Sequence, residues 1–349
     1  MKQVAVIILN WNGAALLRRY LPSVVANTPS ALADVIVADN GSSDNSLEVL
    51  RNEFPSVGVI ALDKNYGFAE GYNRAIDQVE HPVTVLLNSD VRTPEHWLEP
   101  LVEYLNEHDD VGALQPKLLH DRDDGREVFE YAGAAGGYLD KHGYPYCRGR
   151  IFEAIEDDNG QYDDITPSIL WASGACLVVR TELYRRAGGL DSDFFAHMEE
   201  IDLCWRLKNA GYKVYCCPQS QVYHIGGGTL PKNSPRKTYL NFRNNLSLLV
   251  KNLPKKRVHR IILYRILLDW VAALKFLLEG CPKDFGMVFK AHWDFYRRLK
   301  SLREKRRDCE HRQVSCVYWR NIVFDNVFLG KKKFSELKES DFTTAPQSL

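Results

Sequence analysis

Long uninterrupted apolar runs are missing from this sequence. The first candidate, residues 4–9, is too short for a secretory signal, is broken at Asn10 and Asn12, and is followed by no small-residue cleavage site. It reads as a buried strand. The second, residues 258–279, is interrupted by Arg260, Arg265, Asp269 and Lys275, which disfavours a membrane span. Paired cysteines are missing too. The eight cysteines are scattered without a CxxC pair, so reduced thiols in the cytoplasm are expected. Cys176, Cys204 and Cys216 lie in apolar contexts and read as core. GxGxxG is absent, which disfavours a nicotinamide-dependent oxidoreductase. A nucleotidyltransferase would want a basic, glycine-rich phosphate loop near the N-terminus, and VIILNWNG holds no basic residue. Internal repeats and a nucleophilic Ser or Cys motif are absent as well.

What is present is an ordinary globular composition, 45% hydrophobic and 26% charged over 349 residues. The zero net charge conceals a split. Residues 1–231 carry 19 Lys+Arg against 34 Asp+Glu, a net of −15, whereas residues 232–333 carry 25 against 8, a net of +17. Such a tail is suited to meeting an anionic surface. Residues 4–9, 35–38, 57–62 and 83–87 are continuous β-branched runs, expected of strands covered on both faces. Helical patterns at 14–27, 44–53 and 68–79 alternate with them, with Asp44 or Ser43 as the cap of the second, and predict an open α/β fold. Further helices are expected over 95–107, with Pro94 in the first turn, and over 181–188 and 199–210; strands are expected over 171–180 and 212–217. Residues 120–168 read as loops and short strands over a cleft.

Five clusters carry chemistry. Asn10, Asn12 and Asp39-Asn40-Gly41-Ser42 follow the first two strands, where ligands bind in a parallel sheet, although an ordinary turn also explains them. Asn65, Gly67, Phe68, Gly71 and Asn73 open a helix straight after a strand; the small residues permit close approach of a ligand, and the helix N-terminus attracts phosphate. Asn88-Ser89-Asp90 ends a buried strand, a place where an oxygen ligand can hold Mg²⁺ or Mn²⁺. Glu199, Glu200 and Asp202 crowd one helix start, as an acidic first turn or as the source of a general base. His224 precedes three glycines and is either structural or a ligand to metal or diphosphate.

In this order and spacing the clusters resemble the inverting family 2 glycosyltransferases, and within them the rhamnosyltransferase-like branch. The resemblance runs over residues ~3–230 and reaches Tyr239–Asn245. It implies a GT-A type, Rossmann-like nucleotide-diphospho-sugar transferase fold with a C-terminal helical extension. Donor contacts would then come from Asn10, Asn12, Asp39, Asn65, Gly67, Phe68, Gly71, Asn73, Asn88 and Asp90. Asp90 matches the last acid of the family's DxD-like metal motif, whose first position is Asn88 here, so the metal would rest on Asp90 and His224. The family's Glu-Asp motif falls on Glu199-Glu200; the second is the implied base, with the choice between the two left open. Trp171, Ser173, Gly174 and Asp202 would line the acceptor side. The implied reaction is single displacement from a dTDP- or UDP-sugar to a saccharide or lipid-linked acceptor in surface polysaccharide synthesis. A catalytically silent nucleotide-sugar-binding module is the alternative.

The basic segment 232–333 reads as helices over 236–252, 255–279 and 284–307 after a Pro-rich bend. The stretch 258–279 either packs on the catalytic domain or lies in a membrane interface. The implied setting is cytoplasmic, with peripheral contact at the inner face of the membrane; nucleic-acid binding is not expected, because no recognition module is found. Residues 334–349 read as a disordered tail.

Overall fold

The computed structural model describes residues 2–122, 124–163, 168–226, 234–307 and 311–344. In chain order its elements are β1 (Val4–Asn10), α1 (Ala14–Asn27), β2 (Ala33–Asp39), α2 (Ser46–Glu53), β3 (Gly58–Ala61), α3 (Gly67–Ile76), β4 (Val83–Asn88), β5 (Val91–Arg92), α4 (Glu99–Glu107) and β6 (Val111–His120). Then come β7 (Gly137–Asp140), β8 (Pro145–Cys147), β9 (Arg150–Ile151), β10 (Ala154–Ile155), β11 (Cys176–Arg180), α5 (Thr181–Arg186), α6 (Glu199–Asn209) and β12 (Lys213–His224). The C-terminal part holds α7 (Pro235–Asn252), α8 (Lys255–Leu278), α9 (Pro282–Arg307), β13 (Val317–Tyr318) and α10 (Ile322–Val327).

The main sheet has eight strands in the order β3-β2-β1-β4-β11-β6-β12-β5. The first four strands of that order are parallel. β11 runs antiparallel between β4 and β6, so its start lies beside the carboxyl end of β4. The continuous apolar runs have the expected cause. Val4, Val6 and Ile8 pack into one core with Leu17 and Leu21 of α1 and Leu101 of α4; Ala5 and Ile7 pack into the other with Ala69, Tyr72 and Ile76 of α3. A strand buried on both faces cannot alternate polar and apolar residues. The three cysteines read as core are all buried.

Several boundaries differ from expectation. Within 171–180 only Cys176–Arg180 is strand, because the chain turns at Ser173: its Oγ accepts from the N–H of Ala175 and its carbonyl from that of Cys176. β12 runs past Cys217 to His224, with register shifts around Pro218, a residue that cannot donate to a ladder. α4 starts at Glu99, with Pro100 rather than Pro94 in its first turn. α2 is preceded by Asn45; Asp44 accepts from the N–H of Ser46, and also from that of Ala14 at the start of α1.

A second sheet, β10-β9-β8-β7-β13, is built from the irregular region 120–168 plus a strand from the far end of the chain, and Gly137 at its β7 bridges to Trp171. The expected boundary at 231 falls outside the described residues. Beyond it, α7 lies against α6 and α9. The expectation of disorder over 334–349 fails for its described part, residues 334–344. That stretch forms two short 3-10 turns, and Phe334 and Phe342 insert beside Tyr138. Few apolar residues mark it in sequence, but two aromatic anchors suffice to hold it.

Candidate active site

The carboxyl ends of β1, β2, β4 and β12 and the amino ends of α3 and α6 face one cleft, where the fold places ligands. At its first corner Asn10 Nδ2 donates to Asp39 Oδ2 at 3.0 Å, and the N–H of Ser42 donates to Asp39 Oδ1 at 2.9 Å. Asn12 Oδ1 accepts from the N–H of Ser43. These bonds lock the two strand-end turns together and bury Asp39 to 1% exposure. A carboxylate with about four acceptor positions keeps capacity for a further donor.

Asn40, beside Asp39, ties this corner to the start of α3. Its Oδ1 accepts from the N–H of Tyr66 and its Nδ2 donates to the carbonyl of Gly67; Asn65 Oδ1 accepts from the N–H of Gly67. Gly67 has φ +79°, and a side chain there would strike the ring of Phe195. Gly71 likewise has no room for a side chain, lying against Asn40 and Leu9. Asn73 departs from expectation. Its Nδ2 donates to the carbonyl of Leu190 and its Oδ1 accepts from Tyr184 and from the N–H of Leu190, so all its hydrogen bonds hold the 189–191 turn instead of a donor.

At the end of β4 the predicted metal pair comes together. β5 pairs with the last residues of β12, which brings Asp90 Oδ1 to 3.1 Å from His224 Nε2, with Asn88 Nδ2 3.4 Å from the same nitrogen. The other face of the imidazole meets Glu130: Nδ1 lies 3.3 Å from its Oε1, an ion-pair distance with poor hydrogen-bond direction. Burial pulls the His224 pKa down, but the bonds to Asp90 and Glu130 outweigh it and raise it to about 10. Sequence reasoning missed Glu130, which sits in the unpatterned stretch before β7. Among the described residues no cluster of three or more His, Cys, Asp or Glu side chains forms a metal cage. The pair nevertheless suits an ion completed by a ligand. Two donors at about 2.1 Å from one ion, at right angles, stand about 3 Å apart, and a ligating histidine ordinarily turns its second nitrogen to a carboxylate, as His224 does to Glu130.

The two glutamates open α6. Glu199 is buried; Glu200 is partly open and lies beside Gly174 and Phe68. The carbonyl of Ala175, next to Gly174, accepts from the N–H of Asn88, which links the glutamates to the metal corner. Burial, reinforced by the neighbouring carboxylate, drives the Glu199 pKa well up; burial raises Glu200 to about 7 against the pull of the first-turn N–H groups. Among the described residues no donor reaches Oε2 of either. The approach to α6 is strained. Phe195, His197 and Met198 all have positive φ. Asn244 of α7 holds this turn, its Nδ2 lying 3.0, 2.9 and 2.7 Å from the carbonyls of Phe194, Ala196 and His197, while Arg243 donates to those of Asp193 and Phe194.

Three expected acceptor-side residues instead hold the frame. Trp171 lies flat over Gly137 and donates to the carbonyl of Tyr138. Ser173 accepts the turn described above, and its N–H donates to Gln115 Oε1. Asp202 is fully buried, ion-paired with Arg206 and Lys251 at 2.8 Å each, and receives Asn252 Nδ2. Of that group only Gly174 borders Glu200. The glycines at 227 and 228, and Thr229, lie outside the described residues.

The chain is thus of the mostly parallel α/β class, with a carboxylate–histidine pair at its strand ends and a glutamate of raised pKa at the start of α6. Residues 5–157 match the Glycosyl transferase family 2 model, so the chain carries a family 2 glycosyltransferase domain and is a glycosyltransferase. Among curated relatives, N-acetylglucosaminyl-diphospho-decaprenol L-rhamnosyltransferase of Mycobacterium tuberculosis is 26% identical over 238 residues, 63% of this chain and 75% of that protein. The O-antigen biosynthesis protein RfbC of Myxococcus xanthus is 24% identical over 64% of this chain but only 17% of its own length. Among solved structures, GalNAc-T7 with UDP, GalNAc and Mn²⁺ aligns with TM-score 0.59 at 16% identity, covering 89% of this chain and 55% of that one. Staphylococcus aureus TarS 1-349 with UDP-GlcNAc aligns with TM-score 0.56 at 16% identity, covering 88% and 90%. At such identities these two support the GT-A fold.

Proposed function

We propose that the chain moves a sugar from a nucleoside-diphosphate donor, dTDP-rhamnose or a UDP-sugar, to a hydroxyl of a saccharide or lipid-linked acceptor in surface polysaccharide assembly. The rhamnosyltransferase relative supports the sugar and the lipid-linked acceptor; RfbC supports the setting. The observation that carries the mechanism is Glu200, a half-buried carboxylate beside Gly174 whose pKa burial raises to about 7, joined through Gly174-Ala175 to the strand end that bears Asp90. Glu200 takes the proton of the acceptor hydroxyl as that oxygen attacks the anomeric carbon. The bond to the diphosphate oxygen breaks in the same displacement, so configuration inverts. Glu199 lies deeper, and burial with the neighbouring carboxylate holds its pKa well above the usual carboxylate range. Asp90 and His224 would hold Mg²⁺ or Mn²⁺, which when bound neutralises the diphosphate leaving group.

The test is a screen of dTDP-, UDP- and GDP-sugars for binding and hydrolysis with and without Mn²⁺ or Mg²⁺. Cation-dependent binding should vanish in Asp90→Ala, while Glu200→Gln should keep binding and lose turnover. A silent binding module would bind without turning over in the unaltered protein. Activity in Glu200→Gln with loss in Glu199→Gln would move the base to Glu199.

A further inference from the structure

The helical hairpin α8–α9 has apolar residues on two sides: Val258, Ile261, Val288, Phe295 and Leu302 are buried against the protein, and a second set is exposed. Within the buried side sits one charged cluster: Arg265 and His292 both meet Asp269, at 3.3 and 3.1 Å, all three buried, with Arg265 stacked on the Tyr144 ring. Its outer side holds apolar residues. On α8 these are Leu263, Leu267, Val271, Leu274 and Leu278, spaced by four, four, three and four residues, which is one face of a helix. Leu267 is 59% and Leu278 84% exposed. On α9 the stripe continues through Phe289, Trp293 and Tyr296, with Trp293 61% exposed, and Trp270 packs edge-on to Phe289 across the seam. A helix with one face on the core and the other in water carries polar residues along that outer face instead. A patch of this extent marks an interaction surface.

The ends of the hairpin say what the surface meets. The connection between the helices is three residues long, and Asp269 faces His292, so the helices run antiparallel. The leucines nearest the connection therefore stand beside Phe289 at one end. At the other end the same outer faces carry Lys256 and Arg260 on α8 and Lys300 and Arg303 on α9, all exposed, with Glu304 the acid among them. Aromatic side chains lie between. The exposed leucine and aromatic stripe runs ~27 Å from Arg260 to Leu278, flanked by a cationic collar at one end and by exposed Lys275, Glu279 and Lys283 around the connection at the other, a pattern that suits an interface with acyl chains below and anionic headgroups around it. No helix among the described residues is long and apolar enough to cross a membrane. We infer that the outer face of α8–α9 is a docking surface for an anionic phospholipid bilayer, lying in the interface with its leucine and aromatic stripe toward the acyl chains. α10 extends the surface. Its Phe324, Val327 and Phe328 are exposed, and the side chain of Asn321 at its start donates to Tyr264 of α8. This inference is independent of the donor and acceptor assigned above.

The test is co-sedimentation of the full chain with vesicles of phosphatidylcholine alone or with roughly one third phosphatidylglycerol. Wild type should bind the anionic vesicles and be released by salt. Leu274→Glu/Leu278→Glu should lower partitioning by on the order of tenfold per leucine, and Lys300→Glu/Arg303→Glu should abolish the preference for phosphatidylglycerol, both without change in circular dichroism or nucleotide binding. Absence of wild-type binding, or equal binding by the leucine variant, would overturn the inference. So would a wild-type dimer in sedimentation velocity that the leucine variant converts to monomer while vesicles bind neither, since the face would then cover a second copy.

Discussion

Asn244→Ala tests whether α7 belongs to the catalytic apparatus or only to the scaffold. One buried amide spans three carbonyls of the turn that delivers Glu200. Its two protons serve three acceptors, so the net loss is about 1–3 kcal/mol, most of it from carbonyls left without a donor. That turn stores strain of about 1–3 kcal/mol at each of Phe195, His197 and Met198. Removing the amide lets the strain relax, and Glu200 starts two residues further on. A shift near 1 Å at a reacting group costs about 100-fold, so kcat should fall about 10- to 100-fold with little change in donor affinity. The control is the next residue. Asn245 Nδ2 donates to the carbonyl of Gly143, in a turn far from Glu200 in the chain, at 2.7 Å. Asn245→Ala should cost similar stability by urea titration and leave kcat near wild type. The assay is steady-state transfer or donor hydrolysis below the melting range of both variants. Equal kcat losses in the two would refute the reasoning and reduce Asn244 to a packing residue.

Three further outcomes follow from the geometry. Because burial raises Glu200 to about 7 and a base acts only when ionised, kcat should rise with pH through an apparent value near 7; a flat profile from about pH 5.5 to 9 would contradict the assignment. Glu130→Gln should weaken Mn²⁺-dependent nucleotide binding by about 10-fold, measured by calorimetry, because Glu130 orients His224 without facing Asp90. Lys251→Met should destabilise the fold by about 3–5 kcal/mol in urea, since it strips a buried cation from Asp202 and Asp191. Burial raises Asp202 but Arg206 and Lys251 pull it below its usual value, so the difference between variant and wild type should be full at neutral pH and shrink as pH falls below about 4.

The parallel half of the fold was legible because its physics is local. Strands buried on both faces read as unbroken β-branched runs, and β1, β2 and β4 lie within about two residues of the runs that announced them; β3 also falls where its run predicted, but it is the exposed edge of the sheet, with Val59 43% exposed, and is not covered on both faces. The site was legible only in part. A motif places a residue at the cleft but does not tell which way its side chain points. Asp90 and His224 meet at the end of β4 and Glu200 borders Gly174, whereas Asn73, Trp171 and Asp202 stand in equally suggestive positions and are consumed by the frame. Glu130 left no signal, because its partner is 94 positions away in sequence and its own neighbourhood has no period. β12 was cut short in the reading by Pro218, which the structure absorbs in an irregularity of the ladder.

The charge split acquires a physical meaning once the tail is seen folded. Its cations divide into two sets. One set points inward at the acids that precede and begin α6: Lys251 reaches Asp191 and Asp202, Lys305 reaches Asp191 and Asp193, and Arg298 donates to the carbonyl of Asp193. These contacts secure the segment that carries Glu199 and Glu200, so part of the +17 neutralises part of the −15 within one molecule. The other set, Lys256, Arg260, Lys300 and Arg303, faces solvent around an exposed apolar ridge. The two sets differ in their response to salt. Partly buried pairs are screened little, whereas exposed charges lose most of their reach once the Debye length falls to about 3 Å near 1 M. High salt should therefore detach the protein from anionic vesicles while leaving the α6–α7 contacts, and transfer to a soluble acceptor, in place. Loss of both together would mean that the outer cations also support the catalytic half, and that the division drawn from the structure is wrong.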